Sequence, residues 1–175
     1  VSAARFEEAL AGDLGPGMDA RYGDMLIANN LWTTALELAF HKDARVAFRA
    51  SWALEWAYFH DRSLFAPYAG LFLQNYLKAD NSSVHRHYTK MLCDMMRKGV
   101  VYLSDAEAEQ VAEKTFDLLI NPGTKVAVKV WCEEILFDLS QRLPWVDEHL
   151  YDVVAHQIEA YPTPGIINHG NKLLR

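Results

Sequence analysis

Apolar residues recur with one characteristic spacing at four places along the chain. In the first copy they stand at i, i+4, i+7, i+8 and i+11, which forms a single stripe along one side of a helix. Its members are Val46, Ala50, Ala53, Leu54 and Ala57. The spacing begins again at Val84, Val128 and Ile166, at successive offsets of 38, 44 and 38 residues. This near-constant offset predicts a helical repeat in which each copy is the first helix of a pair.

A second set of apolar stripes lies between these copies and predicts the partner helices. The stripes run from Leu64 to Leu77, from Val111 to Ile120 and from Trp145 to Ile158. Residue types that cap helices precede or separate the predicted helices. The capping residues are Asp43, Asp61, the pair Ser104 and Glu107 with capping-box spacing, and Thr163 before Pro164. Asn29-Asn30 predicts an interruption of the helix that precedes the first copy.

Composition agrees with an all-α fold. The chain of 175 residues is 51% hydrophobic, contains only nine glycines and six prolines, and has no Asn-Gly or Asp-Gly hairpin turn, so we expect no sheet. We predict one domain over 1–175, with 1–17 as an N-terminal arm or cap. Apolar runs too short to span a bilayer, and the lack of a signal-peptide pattern, lead us to expect a cytoplasmic protein with no membrane contact. Cys93 and Cys132 lie on apolar stripes and are predicted to be buried, reduced thiols.

The first repeat carries a resemblance to a known family. Asp43, the pair Phe48-Arg49, and Ala50, Ala53 and Leu54 behind it resemble the pattern of HEAT repeats of the armadillo-related superfamily, over roughly residues 43–175. The match weakens downstream, since His87 and Trp131 replace the arginine in register. The resemblance implies a right-handed α-α superhelix, a HEAT-like solenoid of antiparallel helix pairs, whose second helices line a concave face that binds proteins or, less often, nucleic acid.

Charge bears on the kind of partner. Residues 1–99 contain 11 basic and 11 acidic residues, whereas residues 100–175 contain 6 and 12, so the net charge of −6 lies entirely in the C-terminal part. This distribution argues against nucleic acid, because binding to phosphates requires a basic surface. The one basic cluster is interpreted as a solvated face, with a local phosphate contact as the alternative. It consists of Arg86, Lys90, Arg97 and Lys98.

Few side chains have the spacing of a catalytic or metal site. His85 and His87 are two apart and point to different sides of a helix, and His149 and His156 are seven apart and are interpreted as a surface pair. Glu134 and Asp138 could converge as an acid pair near Lys129. The favoured interpretation is an exposed acidic face, next to Glu133, that is partly neutralised by Lys125, Lys129 and Arg142. No phosphate-binding or nucleophile motif occurs, and we expect no cofactor and no metal.

Three of the five tryptophans are concentrated around the first repeat. Trp32, Trp52 and Trp56 lie within 25 residues of one another. In a HEAT-like chain they raise the alternative of a DNA-binding enzyme similar to the HEAT-like alkylpurine DNA glycosylases, although no catalytic residue of that family is matched here. We interpret Trp52 and Trp56 instead as packing between neighbouring helices, because large aromatic rings fill the gaps between helix pairs.

The sequence therefore predicts a non-catalytic module or scaffold that binds another protein. If the second helices form the binding face, nine polar positions on them are candidate contacts, namely Tyr68, Gln74, Lys78, Gln110, Lys114, Asp117, Glu148, Asp152 and His156. A further alternative is a structural subunit of a homo-oligomer. It would be recognised by a mass above 19.9 kDa in light scattering.

Overall fold

The computed structural model describes residues 1–12 and 15–175, and within these ranges the chain is helical and contains no strand. The predicted all-α class is therefore confirmed. The chain divides into two compact units, unit 1 (Val1–Val101) and unit 2 (Tyr102–Arg175). The helices are α1 (Ala3–Ala11), α2 (Met18–Ala28), α3 (Trp32–Leu38), α4 (Ala44–His60), α5 (Arg62–Phe65), α6 (Ala69–Lys78) and α7 (Ser82–Lys98) in unit 1, and α8 (Asp105–Ile120), α9 (Val126–Ser140), α10 (Pro144–Ala160) and α11 (Pro164–Leu173) in unit 2.

Helix α4 is the centre of unit 1. It packs against α1, α2, α3 and α7, and every member of its apolar stripe from Val46 to Ala57 is buried. The stripes that begin at Val84 in α7 and at Val128 in α9 are also buried throughout. In unit 2, α9 has the corresponding central position, because α8, α10 and α11 all pack against it. The recurring spacing thus identified the helix faces that form the two cores.

Local sequence signals set the helix boundaries where they were expected. The Asp43 carboxylate accepts from the backbone N–H of Arg45, and Ser104 and Glu107 form a reciprocal capping box at the start of α8. Asn30 adopts a positive φ of 51° between α2 and α3, so the predicted interruption is confirmed. Cys93 and Cys132 are both buried and form no disulfide within the described residues, as predicted.

The partner helix of the first repeat differs from its prediction. The segment is not one helix but α5, a 3₁₀ turn (Ala66–Tyr68) and α6. Pro67 lies in this turn and has no N–H to continue an α-helical ladder. Leu64 before the turn and Leu71 after it are both exposed, whereas Phe65 and Phe72 are buried, so the apolar stripe of this segment is narrower than predicted.

The N-terminal helix α1 is attached to α4. Phe6 and Leu10 are fully buried, and the Arg49 guanidinium donates hydrogen bonds to the backbone carbonyls of Leu10 and Gly12. These carbonyls belong to the C-terminal end of α1, where no intrahelical donor reaches them. Residues 13 and 14 of the predicted N-terminal loop lie outside the described ranges, and the assignment of 1–17 as an arm or cap stays a prediction.

Gly23 of α2 lies directly against Trp56 of α4, and its substitution gives a test of this packing. A Cβ at position 23 would lie 2.4 Å from the Trp56 ring, whereas a Cβ at Gly70 of α6 would meet nothing within 4 Å. We expect Gly23→Ala to lower the free energy of unfolding by about 1–3 kcal/mol. Gly70→Ala should leave it equal or raise it by up to ~1 kcal/mol. Urea unfolding followed by circular dichroism measures both, and equal effects of the two substitutions would contradict the close approach.

Candidate functional site

The nine predicted contact residues all lie on second helices or on the turn that precedes one. Seven are exposed, whereas Tyr68 and Lys114 are half-buried. The Tyr68 hydroxyl donates to the Asn30 side chain at 3.0 Å, so part of its polar capacity is used internally. Tyr68, Gln74 and Lys78 belong to unit 1 and the other six to unit 2. Their role in binding stays a prediction.

Unit 2 contains a groove between its two second helices, α8 and α10. Its volume is about 460 Å³. The walls are mainly apolar, and the lining residues are Glu113, Phe116, Asp117, Ile120, Trp145, His149 and Val153. Of these, Ile120 is 53% exposed although it is a large apolar side chain. Exposed apolar surface with a polar rim is typical of a protein-binding surface.

Trp145 is held in one orientation at this groove. Its indole N–H donates to the Glu109 carboxylate at 2.6 Å, and its ring packs on Phe116 with centroids 5.6 Å apart. The sequence predicts Asp117 as a contact residue on this face, whereas we interpreted Phe116, Ile120 and Trp145 only as helix-packing positions. Their exposure depends on the arrangement of α8 relative to α10, and the spacing of apolar residues does not determine that arrangement.

Unit 1 contains a pocket of about 500 Å³ on the side of its first helices. Three aromatic residues of α4, spaced i, i+4 and i+7, form one wall: Trp52, Trp56 and Phe59. The remaining lining residues are polar and come from three helices, namely Asp19 of α2, Glu55 and His60 of α4, and Lys90 of α7. The interpretation of the tryptophans as packing is confirmed, since Trp56 contacts Gly23 of α2 and Trp52 stacks on His87 of α7. The same rings also line this pocket, although the sequence was interpreted in favour of packing and against a binding role for these tryptophans.

Glu55 is the most constrained polar group of this pocket. Its two carboxylate oxygens accept hydrogen bonds from His87 and Lys90. Burial alone would raise the pKa of Glu55, but these two hydrogen bonds outweigh burial and lower the pKa below its ordinary value. Glu55 is therefore an ionised residue that joins α4 to α7. Because Lys90 is engaged in this pair, the predicted basic cluster on α7 has one fewer cation available for a phosphate.

An ionic cluster lies inside unit 2 where an exposed acidic face was expected. Lys129 is 2% exposed and Glu133 is fully buried, so that interpretation is wrong for both residues. The Lys129 ammonium donates to the backbone carbonyl of Leu119 and to the Gln157 side chain, at 2.5 and 2.8 Å. It also lies 4.5 Å from the centre of the Tyr161 ring.

His169 of α11 binds both neighbouring glutamates of α9. Its Nδ1 lies 2.5 Å from the Glu133 carboxylate and its Nε2 lies 2.5 Å from the Glu134 carboxylate. The hydrogen bond with Glu133 is the main cause that raises the pKa of His169; burial opposes it and Glu134 adds to it. The second Glu133 oxygen has no hydrogen-bond partner among the described residues. Arg142 is not part of this cluster, since it pairs with Asp105.

The two histidine pairs considered in the sequence form no shared metal site with any described residue. His85 bonds to the backbone carbonyl of Ala79 and His87 to Glu55, whereas His149 and His156 are exposed, as the surface-pair interpretation predicted. Within residues 1–12 and 15–175, no three His, Cys, Asp or Glu side chains are grouped as a metal site requires. None of the helices in these ranges is both long enough and apolar enough to span a bilayer.

Comparisons of the chain with protein-family models, with curated proteins and with solved structures find no match. The family resemblance therefore depends only on the residues and on the contacts described above.

Proposed function

We propose that this chain is a HEAT-like helical-repeat protein that binds a partner protein through its second helices. The repeat is supported by side-chain contacts whose sequence separation is close to the 38-residue offset. Tyr58 donates to Asp94, Trp145 to Glu109, and His169 binds Glu133, each pair being 36 residues apart. Such separations are expected where each helix packs on its equivalent in the next repeat.

The register position of Arg49 supports the same proposal. By the offsets of 38, 44 and 38 residues, Arg49 corresponds to His87, Trp131 and His169. Arg49 bonds to the end of α1, His87 to Glu55 of α4, and His169 to Glu133 of α9. His87 and His169 thus each bind the first helix of the preceding repeat, whereas Arg49 binds the end of the N-terminal helix α1. The register position is therefore used for a contact with an earlier helix in three of the four copies, although only one of these residues is an arginine.

The groove between α8 and α10 is the observation that carries the binding function. It combines exposed Ile120 and oriented Trp145 with the carboxylates of Glu113 and Asp117. Unit 2 as a whole has twice as many acidic as basic residues. An amphipathic helix with a basic polar face matches both properties, since its apolar side chains would fill the groove and its cations would face the acidic rim.

A labelled synthetic helix with leucines on one face and lysines on the other tests this function. We expect it to bind at least about tenfold more tightly than the same helix with glutamates in place of the lysines, as measured by fluorescence anisotropy. Asp117→Lys should weaken binding of the lysine helix by about tenfold, because it reverses a charge in the groove. Glu159→Lys makes the same change of charge at an exposed position of α10 that does not line the groove, and should have little effect.

Two results would contradict the proposal. One is equal affinity for the lysine and glutamate helices, and the other is an equal loss from Asp117→Lys and Glu159→Lys. The enzyme alternative predicts instead an affinity for duplex DNA that falls steeply with salt.

A further inference from the structure

The unit 1 pocket has no part in the proposed protein-binding groove, and its chemistry is different. Trp52 is 36% exposed, so its ring is accessible. Trp52 stacks on the imidazole of His87 and Trp56 on that of His60, at centroid distances of 6.3 and 4.9 Å. A pocket of about 500 Å³ falls in the range of small-molecule sites.

Cations already pack on the aromatic wall of this pocket. The Lys90 ammonium and the Arg62 guanidinium lie 5.0 and 5.2 Å from the centre of the Phe59 ring. Over the part of the chain that the structure describes, no protein cation lies on the rings of Trp52 or Trp56. Indole binds cations more strongly than a phenyl ring, so the two stronger cation-binding rings of this pocket carry no protein cation.

One carboxylate of the pocket is left without a charged partner among the described residues. Glu55 forms an ion pair with Lys90 and a hydrogen bond with His87. Asp19, in the first turn of α2, forms no ion pair or side-chain hydrogen bond with any described residue. Its carboxylate therefore lines the pocket opposite two indoles with its charge uncompensated. A divalent metal does not match this arrangement, because two carboxylates that come from different helices, one of them already paired, provide too few ligands.

We propose that the unit 1 pocket binds an organic cation, a substituted ammonium or guanidinium group. Trp52 and Trp56 provide the ring faces, and Asp19 provides the counter-charge. The apolar substituents of such a cation gain from contact with the indoles, while its charge gains from both the rings and the carboxylate. The proposal is independent of the unit 2 groove, because it involves different residues and a different ligand.

Choline and 3,3-dimethyl-1-butanol form a matched pair of probes, since the alcohol has the same shape with a neutral carbon in place of the charged nitrogen. We expect choline to bind saturably and at least about tenfold more tightly than the alcohol, by isothermal titration calorimetry. Asp19→Asn should weaken choline binding by about tenfold, because it removes the counter-charge but keeps the shape. Asp24→Asn, an exposed position of the same helix outside the pocket, should not change it.

Trp52→Phe provides a second test, because it keeps an aromatic ring against His87 but replaces the indole by a weaker cation-binding ring. It should also weaken choline binding by about tenfold, with an unchanged circular dichroism spectrum. N-acetylarginine methylamide distinguishes the source of the cation: tighter binding than choline indicates an arginine side chain of a protein, and weaker binding indicates a free small molecule. The proposal is overturned if neither cation binds saturably, if the neutral alcohol binds as well as choline, or if Asp19→Asn binds choline like the unchanged protein.

Discussion

Replacing Lys129 with methionine should lower the free energy of unfolding of unit 2 by about 2–4 kcal/mol. The Lys129 ammonium is buried, and it donates to the Leu119 carbonyl and to Gln157. Leu119 lies in the last turn of α8, where carbonyls have no intrahelical donor. Methionine keeps the length of the side chain and most of its packing, but it leaves both acceptors buried without a partner.

Lys125→Met is the matched control, because Lys125 is the exposed residue immediately before α9 and lies four residues before Lys129. It should change the free energy of unfolding by no more than about 0.5 kcal/mol. Urea unfolding at neutral pH measures both variants. A Lys129→Met protein as stable as Lys125→Met would mean that the cluster is replaceable by apolar packing and does not stabilise the end of α8.

The first helices could be predicted from the sequence because their stripes follow the helical period closely. All the stripe positions from Val46 to Ala57 are buried on one face of α4, and short polar side chains such as Asp43 and Ser104 cap helices through contacts only two or three residues away. Both signals are local, so they do not depend on how helices are arranged. Pro67 is also a local signal, and it explains the break that divided the expected partner helix.

The buried ionic cluster could not be predicted in this way. Lys129 and Glu133 are four apart, a spacing that is typical of an exposed ion pair on a helix. Here α9 is covered by α8, α10 and α11, so a second face that carries polar residues is buried as well. The polar residues of that face have partners on other helices, because Gln157 binds Lys129 and His169 binds Glu133.

The unit 1 pocket can be predicted from the sequence only in part. The aromatic wall could be predicted, since Trp52, Trp56 and Phe59 share one face of a helix. Asp19 and Lys90 are far from them in sequence and reach the pocket only because α2 and α7 both pack against α4. A single sequence contains the residues of such a site, but it does not show which of them lie close together in the folded protein.

Raising the pH should weaken the attachment of α11 to α9. Both ring nitrogens of His169 face carboxylates, and only the imidazolium can donate from both. Glu133 and Glu134 are the charged groups that act on this ring, and Lys129, four residues before Glu133, acts in turn on Glu133. Because the folded-state pKa of His169 is raised above its ordinary value of 6.5, its stabilisation is fully present below that value and is lost as the pH rises through the folded-state pKa.

His169→Gln isolates this contribution, because a glutamine amide can donate to one carboxylate but not to two. At about pH 6 we expect the substitution to cost about 3–5 kcal/mol, since it removes the cation that faces the buried Glu133 side chain. Toward about pH 9 the loss should become smaller, because the neutral fraction of the imidazole in the unchanged protein grows as the pH rises. Hydrogen exchange of the α11 amides, together with urea unfolding, measures the difference at the two pH values. His156→Gln, at an exposed position of unit 2, should show no such dependence. A gap between His169→Gln and the unchanged protein that is equal at both pH values would mean that packing, and not the charge on the imidazole, holds α11 in place.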